Sequence, residues 1–274
     1  MAFPETYKPQ KYEQSDAPLT KTEIWDISAD FLHTPAFRKE YTRMVAEIIE
    51  DKNSHILDTA CGTGFPTADL YETGFKDITC VDASKESVNI LRSRLGQKGI
   101  EISTHVATWQ TLNKEFGPEF DALINLDNSL VYMDGWSAVH AMPEGDAPVL
   151  ERIALVTRNF YDCLKPNGKV IIGLWPPFDP SIKTRDADFG EITYQGRNVK
   201  SCMHLEYDWQ KRHRLWTAQT WVNGRRDPDI SFRSYIISVE ELAHVMDTIG
   251  FKDIRVSQSS NSVVFDNIVS GVKR

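Results

Sequence analysis

The chain has 274 residues, of which 41% are apolar and 26% charged, and a formal net charge of -8. That length and balance suit one large α/β domain carrying a sizeable insertion, and they exclude a low-complexity or disordered chain. The acidic balance and the lack of a long Lys/Arg cluster argue against nucleic acid as a partner. No segment has the apolar length of a signal peptide or a membrane span, so a cytoplasmic protein is expected.

Residues 1–24 are polar and Pro-containing, with Tyr7, Tyr12 and Pro18, and read as a tail or an ordered lid. From Trp25 to Ile49, Phe31, Phe37, Tyr41, Met44, Val45, Ile48 and Ile49 recur at helical spacing, which predicts one or two helices before the sheet. A strand at 55–57, a helix near 67–71, a strand at 77–81, a helix at 85–95 and a strand at 102–106 follow. This alternation predicts a parallel sheet with right-handed crossovers. It continues with a strand at 120–125, a long acidic and aromatic connection, a helix at 147–163, a turn at Lys165–Gly168 and a strand at 169–175.

After Pro176-Pro177 the runs at 199–207, 214–222 and 230–237 are rich in β-branched and aromatic residues and read as an antiparallel insertion. A helix at 239–249 and strands at 253–257 and 262–270 then complete the core sheet. The expected organisation is an N-terminal lid or tail (1–24), a cofactor-binding core (25–178), a β insertion over the site (179–237) and a C-terminal helix with strands (238–274).

The most informative stretch is Ile56 to Gly64, ILDTACGTG, where an apolar strand runs into a G-x-G loop. Gly62 and Gly64 lack the Cβ atoms that would hold a ligand off the backbone. Eighteen residues after Gly64 a second apolar run ends in Asp82, an acidic strand tip placed to accept hydrogen bonds from both hydroxyls of a ribose. The loop lacks the third glycine of the dinucleotide fingerprint and the Lys-Ser/Thr of a P-loop, so a ribose without a pyrophosphate fits best. The four cysteines, 61, 80, 163 and 202, are scattered and read as reduced and structural. His105, His140, His204 and His213 show no metal-ligand spacing, and no metal is expected.

Taken in order, LDTACGTG at 57–64, VDAS at 81–84, ATWQTL at 107–112 and NLDNS at 125–129 resemble the class I S-adenosylmethionine-dependent methyltransferases, and among them the glycine and glycine/sarcosine N-methyltransferases. The likeness covers residues 25–175. It implies a Rossmann-like α/β fold: a mostly parallel seven-stranded sheet with a C-terminal antiparallel hairpin and an antiparallel β insertion over the active site. The implied cofactor is S-adenosyl-L-methionine, with S-adenosyl-L-homocysteine as product, and the resemblance allows a homo-oligomer. Carried over, Ala60, Cys61 and Gly62 pass their backbone along the methionine part, Asp82 holds the ribose and Ala83 lies near the adenine. Thr108 and Trp109 contact the adenine edge and face, Leu126 and Ser129 line the sulfonium end, and Trp25 and Arg38 match positions at the amino-acid end.

The chain also departs from that family. Where the glycine enzymes carry a carboxylate-binding Arg after the strand matching 170–174, this sequence reads LWPPFD at 174–179, and Asp127 stands where the family has Gly. Losing a cation and gaining an anion points to a cationic, carboxylate-free amine or guanidine as acceptor. Asp127 would pair its charge, Asn128 would orient it, and Trp175, Tyr132 or Trp136 would wall the growing N-methyl group. Arg185 is an alternative carboxylate binder. The competing readings are O- or C-methylation of a small carboxylic or keto acid, glycine or sarcosine methylation itself, and a cofactor-binding protein without turnover.

Overall fold

The computed structural model describes residues 17–136, 142–175, 179–258 and 267–274. Two helices precede the first strand. α1 (Lys21–Leu32) opens on a capping box between Thr20 and Glu23, and α2 (Pro35–Ile49) starts with Thr34 as N-cap and Pro35 in its first turn. The alternating part follows: β1 (Ile56–Asp58), α3 (Thr67–Thr73), β2 (Ile78–Asp82), α4 (Lys85–Gln97), β3 (Ser103–Val106), α5 (Leu112–Glu115), β4 (Phe120–Asn125), α6 (Asp146–Cys163) and β5 (Leu164–Leu174). Next come β6 (Thr184–Tyr194), β7 (Arg197–Asp208), β8 (His213–Val222), the two-residue β9 (Arg225–Arg226) and β10 (Ile230–Tyr235). The chain closes with α7 (Val239–Ile249), β11 (Phe251–Gln258) and β12 (Asn267–Lys273).

The main sheet has the order β11-β12-β5-β4-β1-β2-β3, parallel from β5 to β3, with β12 and β11 antiparallel at one end. Strand alternation divides its side chains between two cores. Leu57, Val81, Leu123, Val170 and Ile172 join the core on the side of α6 and α7, while Ile56, Cys80, Ile124 and Ile171 join the one on the side of α2 and α4. β10, β8, β7 and β6 form a second, antiparallel sheet. Its inner residues Leu205, Trp216 and Phe232 belong to the same core cluster as Ile24 and Ile27 of α1, so insertion and helix pack together above the main sheet.

The observed elements match the expected order, with three differences. Residues 184–194 form a strand that the sequence pattern does not announce. Lys165–Gly168 does not separate α6 from a strand. β5 already begins at Leu164, and the irregularity is a bulge between the pairs Phe120–Leu164 and Ala122–Lys169, with Asn167 at φ 65°. The last strand begins at Asn267; the expected positions 262–266 lie outside the described residues, as do residues 1–16 of the expected lid, His140 and Pro176–Phe178. Among the described residues no helix is long and apolar enough to cross a membrane.

Candidate functional site

Between β1 and β4 the strand order reverses, and a crevice opens at the carboxyl ends of the strands, as open α/β sheets dictate. It is a cavity of about 860 Å³, within the size range of small-molecule sites. Its floor is the β1–α3 loop with Thr59, Ala60 and Gly62. One wall is Asp82, Ala83 and Ser87, with Thr108, Trp109 and Gln110 beyond them. The other end holds Trp25 from α1, Ser129, Tyr132 to Asp134 and Trp136 from the segment after β4, Pro143, and Arg152 from α6.

Local chemistry shapes the floor. Gly62 sits at φ +49° with open space where a Cβ would project, a backbone state and a clearance that favour glycine. Its N–H donates to Asp82 Oδ2 at 2.9 Å and the Ser84 N–H to Oδ1 at 2.8 Å. Each oxygen keeps a second lone-pair site, so the carboxylate can still accept from a pair of vicinal hydroxyls. Burial pushes the Asp82 carboxyl above its ordinary range, and the Ser84 and Gly62 N–H groups pull it back. Trp109 is fixed at both ends, its indole N–H donating to Thr59 O and its carbonyl accepting from Asn159 Nδ2. Asp127 and Asn128 follow β4 with φ of 55° and 57°. Two consecutive left-handed residues turn the chain sharply, and that turn directs Ser129–Tyr132 into the cavity.

Beneath the loop lies Asp58, 1% exposed, accepting from the Ala60 N–H and the Thr67 hydroxyl. Burial pushes its carboxyl up to about 7 against these bonds. Between about pH 4 and 7 the folded chain therefore holds this proton more often than the unfolded chain does. The resulting stability is complete below the unfolded value and lost as pH rises through the folded one. At about 1.4 kcal/mol per pKa unit the difference is on the order of 4 kcal/mol. Urea unfolding of the protein across pH 4.5–7.5 is expected to show this decline, and Asp58→Asn is expected to flatten it; a variant with an unchanged slope would assign the decline to other groups.

Of the residues singled out in the sequence, the cavity brings together Trp25, Ala60, Gly62, Asp82, Ala83, Thr108, Trp109, Ser129, Tyr132 and Trp136. The others stand elsewhere, each for a visible reason. Arg38 forks onto Asp69 with its guanidinium over Phe65. The Cys61 and Leu126 side chains pack in the core on the α2 side, while the Cys61 backbone stays in the loop between the lining residues Ala60 and Gly62. Gly64 closes against Leu91, a Cβ there lying 3.2 Å from Leu91 Cδ1. Asp127 turns away from the cavity to His33, with Oδ1 and Nε2 3.1 Å apart. Asn128 is buried and accepts the Trp175 N–H. Trp175 stacks on the far side of Trp25, in a narrow crevice it shares with Asp127, Met203 and Trp216. Arg185 is exposed on β6.

The structure adds Asp134 and Arg152, which the sequence reading does not include. Arg152 Nε and Nη2 clamp the Asp134 carboxylate at 2.9 and 2.5 Å, and Asp134 also accepts from Tyr235 Oη at 2.6 Å. The sequence offers no local signal for this pair, because it joins the segment after β4 to α6 across eighteen positions. Among the described residues no three His, Cys, Asp or Glu side chains gather as a metal site would require.

Residues 56–145 match the family described as a methyltransferase domain. The glycine/sarcosine N-methyltransferase of Halorhodospira halochloris is 30% identical over 148 residues, 54% of this chain and 49% of that protein. The glycine N-methyltransferase of Rattus norvegicus is 28% identical over 176 residues, 60% of this chain and 53% of its own length. The chain thus spans about half the length of these curated relatives. Among solved structures, an S-adenosylmethionine-dependent methyltransferase of Clostridium acetobutylicum superposes with a TM-score of 0.69 at 15% identity, over 92% of this chain and 98% of that one. An amino pentose methyltransferase of Micromonospora echinaspora, solved with S-adenosylmethionine bound, gives 0.65 at 13% identity, over 92% and 97%. This likeness establishes a Rossmann-like fold with a mostly parallel seven-stranded sheet and a second, antiparallel one.

Proposed function

We propose that this chain, which belongs to the class I S-adenosylmethionine-dependent methyltransferases, methylates the nitrogen of a small polar amine. The observation that carries the reading is a single cavity joining Asp82 and the open backbone at Gly62 to an aromatic end built from Trp25, Tyr132 and Trp136. The residues fit the cofactor. Asp82 has free lone pairs for the ribose hydroxyls, Thr108 to Gln110 offer an edge and a face to the adenine, and Ala60, Gly62 and Ser129 lie along the methionine side. When bound, S-adenosylmethionine supplies an electrophilic methyl group.

The chain's own contribution is alignment and enclosure. Trp25 of α1 and the aromatic segment after β4 wall one end of the cavity, where the acceptor would be aligned against the cofactor. An amine must present its lone pair, and the aromatic faces favour the positive charge that grows on nitrogen during transfer. The names of the relatives, glycine and glycine/sarcosine N-methyltransferases, support nitrogen as the acceptor atom. Asp127, engaged by His33 outside the cavity, gives no support to a cationic acceptor paired there.

Incubation with methyl-labelled cofactor and a panel of small amines is expected to yield S-adenosylhomocysteine and label in N-methyl products. Label recovered only in esters or ethers would sink nitrogen as the acceptor, and failure to bind S-adenosylhomocysteine would sink the cofactor assignment.

A further inference from the structure

Three arginines are less than 9% exposed: Arg197, Arg212 and Arg214. Two have carboxylate partners, Arg197 on Glu23 and Arg212 on Asp146 and Glu241. Among the described residues Arg214 has none within ion-pair distance. Its Nε–H donates to Ser234 Oγ and its Nη2–H to Tyr132 Oη, both at 3.0 Å. The guanidinium lies 5.7 Å from the ring centre of Tyr132 and 5.8 Å from that of Trp175. These partners are a hydroxyl, a phenol that burial keeps protonated and two aromatic faces. None cancels the charge, and an arginine cannot shed it by losing a proton. Buried charges are ordinarily paired.

The position of this cation is as informative as its isolation. Arg214 stands two residues before Trp216 on β8, so strand alternation turns both to the inner face of the insertion. Tyr132, which it grips, lines the cavity. Trp25 also lines it and packs against both rings beside the guanidinium, edge-on to Tyr132 and stacked on Trp175. Arg214 thus stands one hydrogen bond behind the cavity wall, through Tyr132. Ser234 and Tyr132 fix the fork and leave Nη1 without an acceptor among the described residues.

We infer that the methyl acceptor carries a carboxylate, and that Arg214 is its counter-ion and the residue that selects for it. This rests on the methyltransferase reading above, and it assigns the anchor to the insertion sheet rather than to the Arg-free segment after β5. A guanidinium pairs a carboxylate with charge-assisted bonds that a neutral carboxamide cannot reproduce.

The test loads the protein with S-adenosylhomocysteine and follows thermal unfolding with acetate, glycine, 3-aminopropanoate and benzoate, each against its carboxamide. At least one carboxylate is expected to raise the melting temperature in a saturable way while its amide does not. Arg214→Met is expected to weaken that binding at least tenfold, and Arg214→Lys less. Tyr132→Phe, which removes a hydroxyl but no charge, is expected to keep the preference for carboxylate; its loss there would reduce Arg214 to a prop for Tyr132. Equal effects of acid and amide on the wild-type protein overturn the inference even if Arg214→Met fails to fold. Binding of S-adenosylhomocysteine, measured separately by calorimetry, distinguishes this failure from failure of the methyltransferase reading.

Discussion

Asp82→Ala is expected to lower the affinity for S-adenosylmethionine and S-adenosylhomocysteine by at least a hundredfold while the main sheet still forms. The carboxylate is the one acidic group on the cavity wall formed with Ala83 and Ser87, where it would accept from both ribose hydroxyls. Hydrogen bonds to a charged acceptor contribute about 1.5–3 kcal/mol each, and about 1.4 kcal/mol corresponds to a factor of ten. A second loss adds to this. The Gly62 and Ser84 N–H groups both end on Asp82, so alanine also frees the glycine loop from β2. Asp82→Asn separates the two effects, because it keeps the shape and one acceptor oxygen but sets an NH2 against one of those N–H donors. The expected order of affinity is wild type, then asparagine, then alanine. Calorimetric titration checks it, and an alanine variant within threefold of wild type would remove Asp82 from the ribose.

The glycine loop and Asp82 were legible because their geometry is local. A strand, two glycines and a strand-end acid fix their own arrangement within a few residues, and the parallel sheet follows from the alternation of strands and helices. Side chains whose direction depends on distant partners were not legible. Asp127 reads as a cation binder until His33, ninety-four positions earlier in the chain, is seen to take its carboxylate. Arg38 reads as a ligand for the cofactor's carboxylate, but Asp69 occupies it. β6 is not legible because TRDADFGEITY, exposed along most of its length, lacks the alternation of a half-buried strand. Asn167-Gly168 carries turn chemistry, yet the structure uses it for a bulge within β5, where a Cβ on Gly168 would lie 2.9 Å from Lys165 O. Arg214 follows a related logic, since the sequence shows a basic run at 211–214 and only the sheet shows that its last member faces inward.

Asp26→Ala is expected to release α1 from the body of the protein. Asp26 is 1% exposed and collects donors from three separate elements: Arg94 of α4 at 2.9 and 2.5 Å, Tyr194 Oη of β6 at 2.9 Å, and the Thr63 hydroxyl of the glycine loop. Removing one partner from a buried charge cluster costs about 3–5 kcal/mol. The lower end applies here, because the Arg94 side chain is 43% exposed and regains water. Asp30, one turn further along α1, opposes the effect. Its carboxyl is pushed up by burial and by the charge of Asp26 and drawn down by Arg94, so loss of Asp26 makes Asp30 a better partner for that arginine. Asp26→Ala/Asp30→Ala is therefore expected to be more destabilised than the two single changes predict together. The loss should be local, because α1 contributes no strand to the main sheet and is joined to the rest through this node, the Glu23–Arg197 pair, the rings packed around Trp25 and the buried Ile24 and Ile27. Amide exchange over residues 21–32 is expected to speed up about a hundredfold at 3 kcal/mol, while β1 and β4 stay protected. Because Trp25 adjoins Asp26 on the same helix and lines the cavity, cofactor affinity should fall with that protection; unchanged exchange across α1 would show that the apolar contacts alone hold the helix.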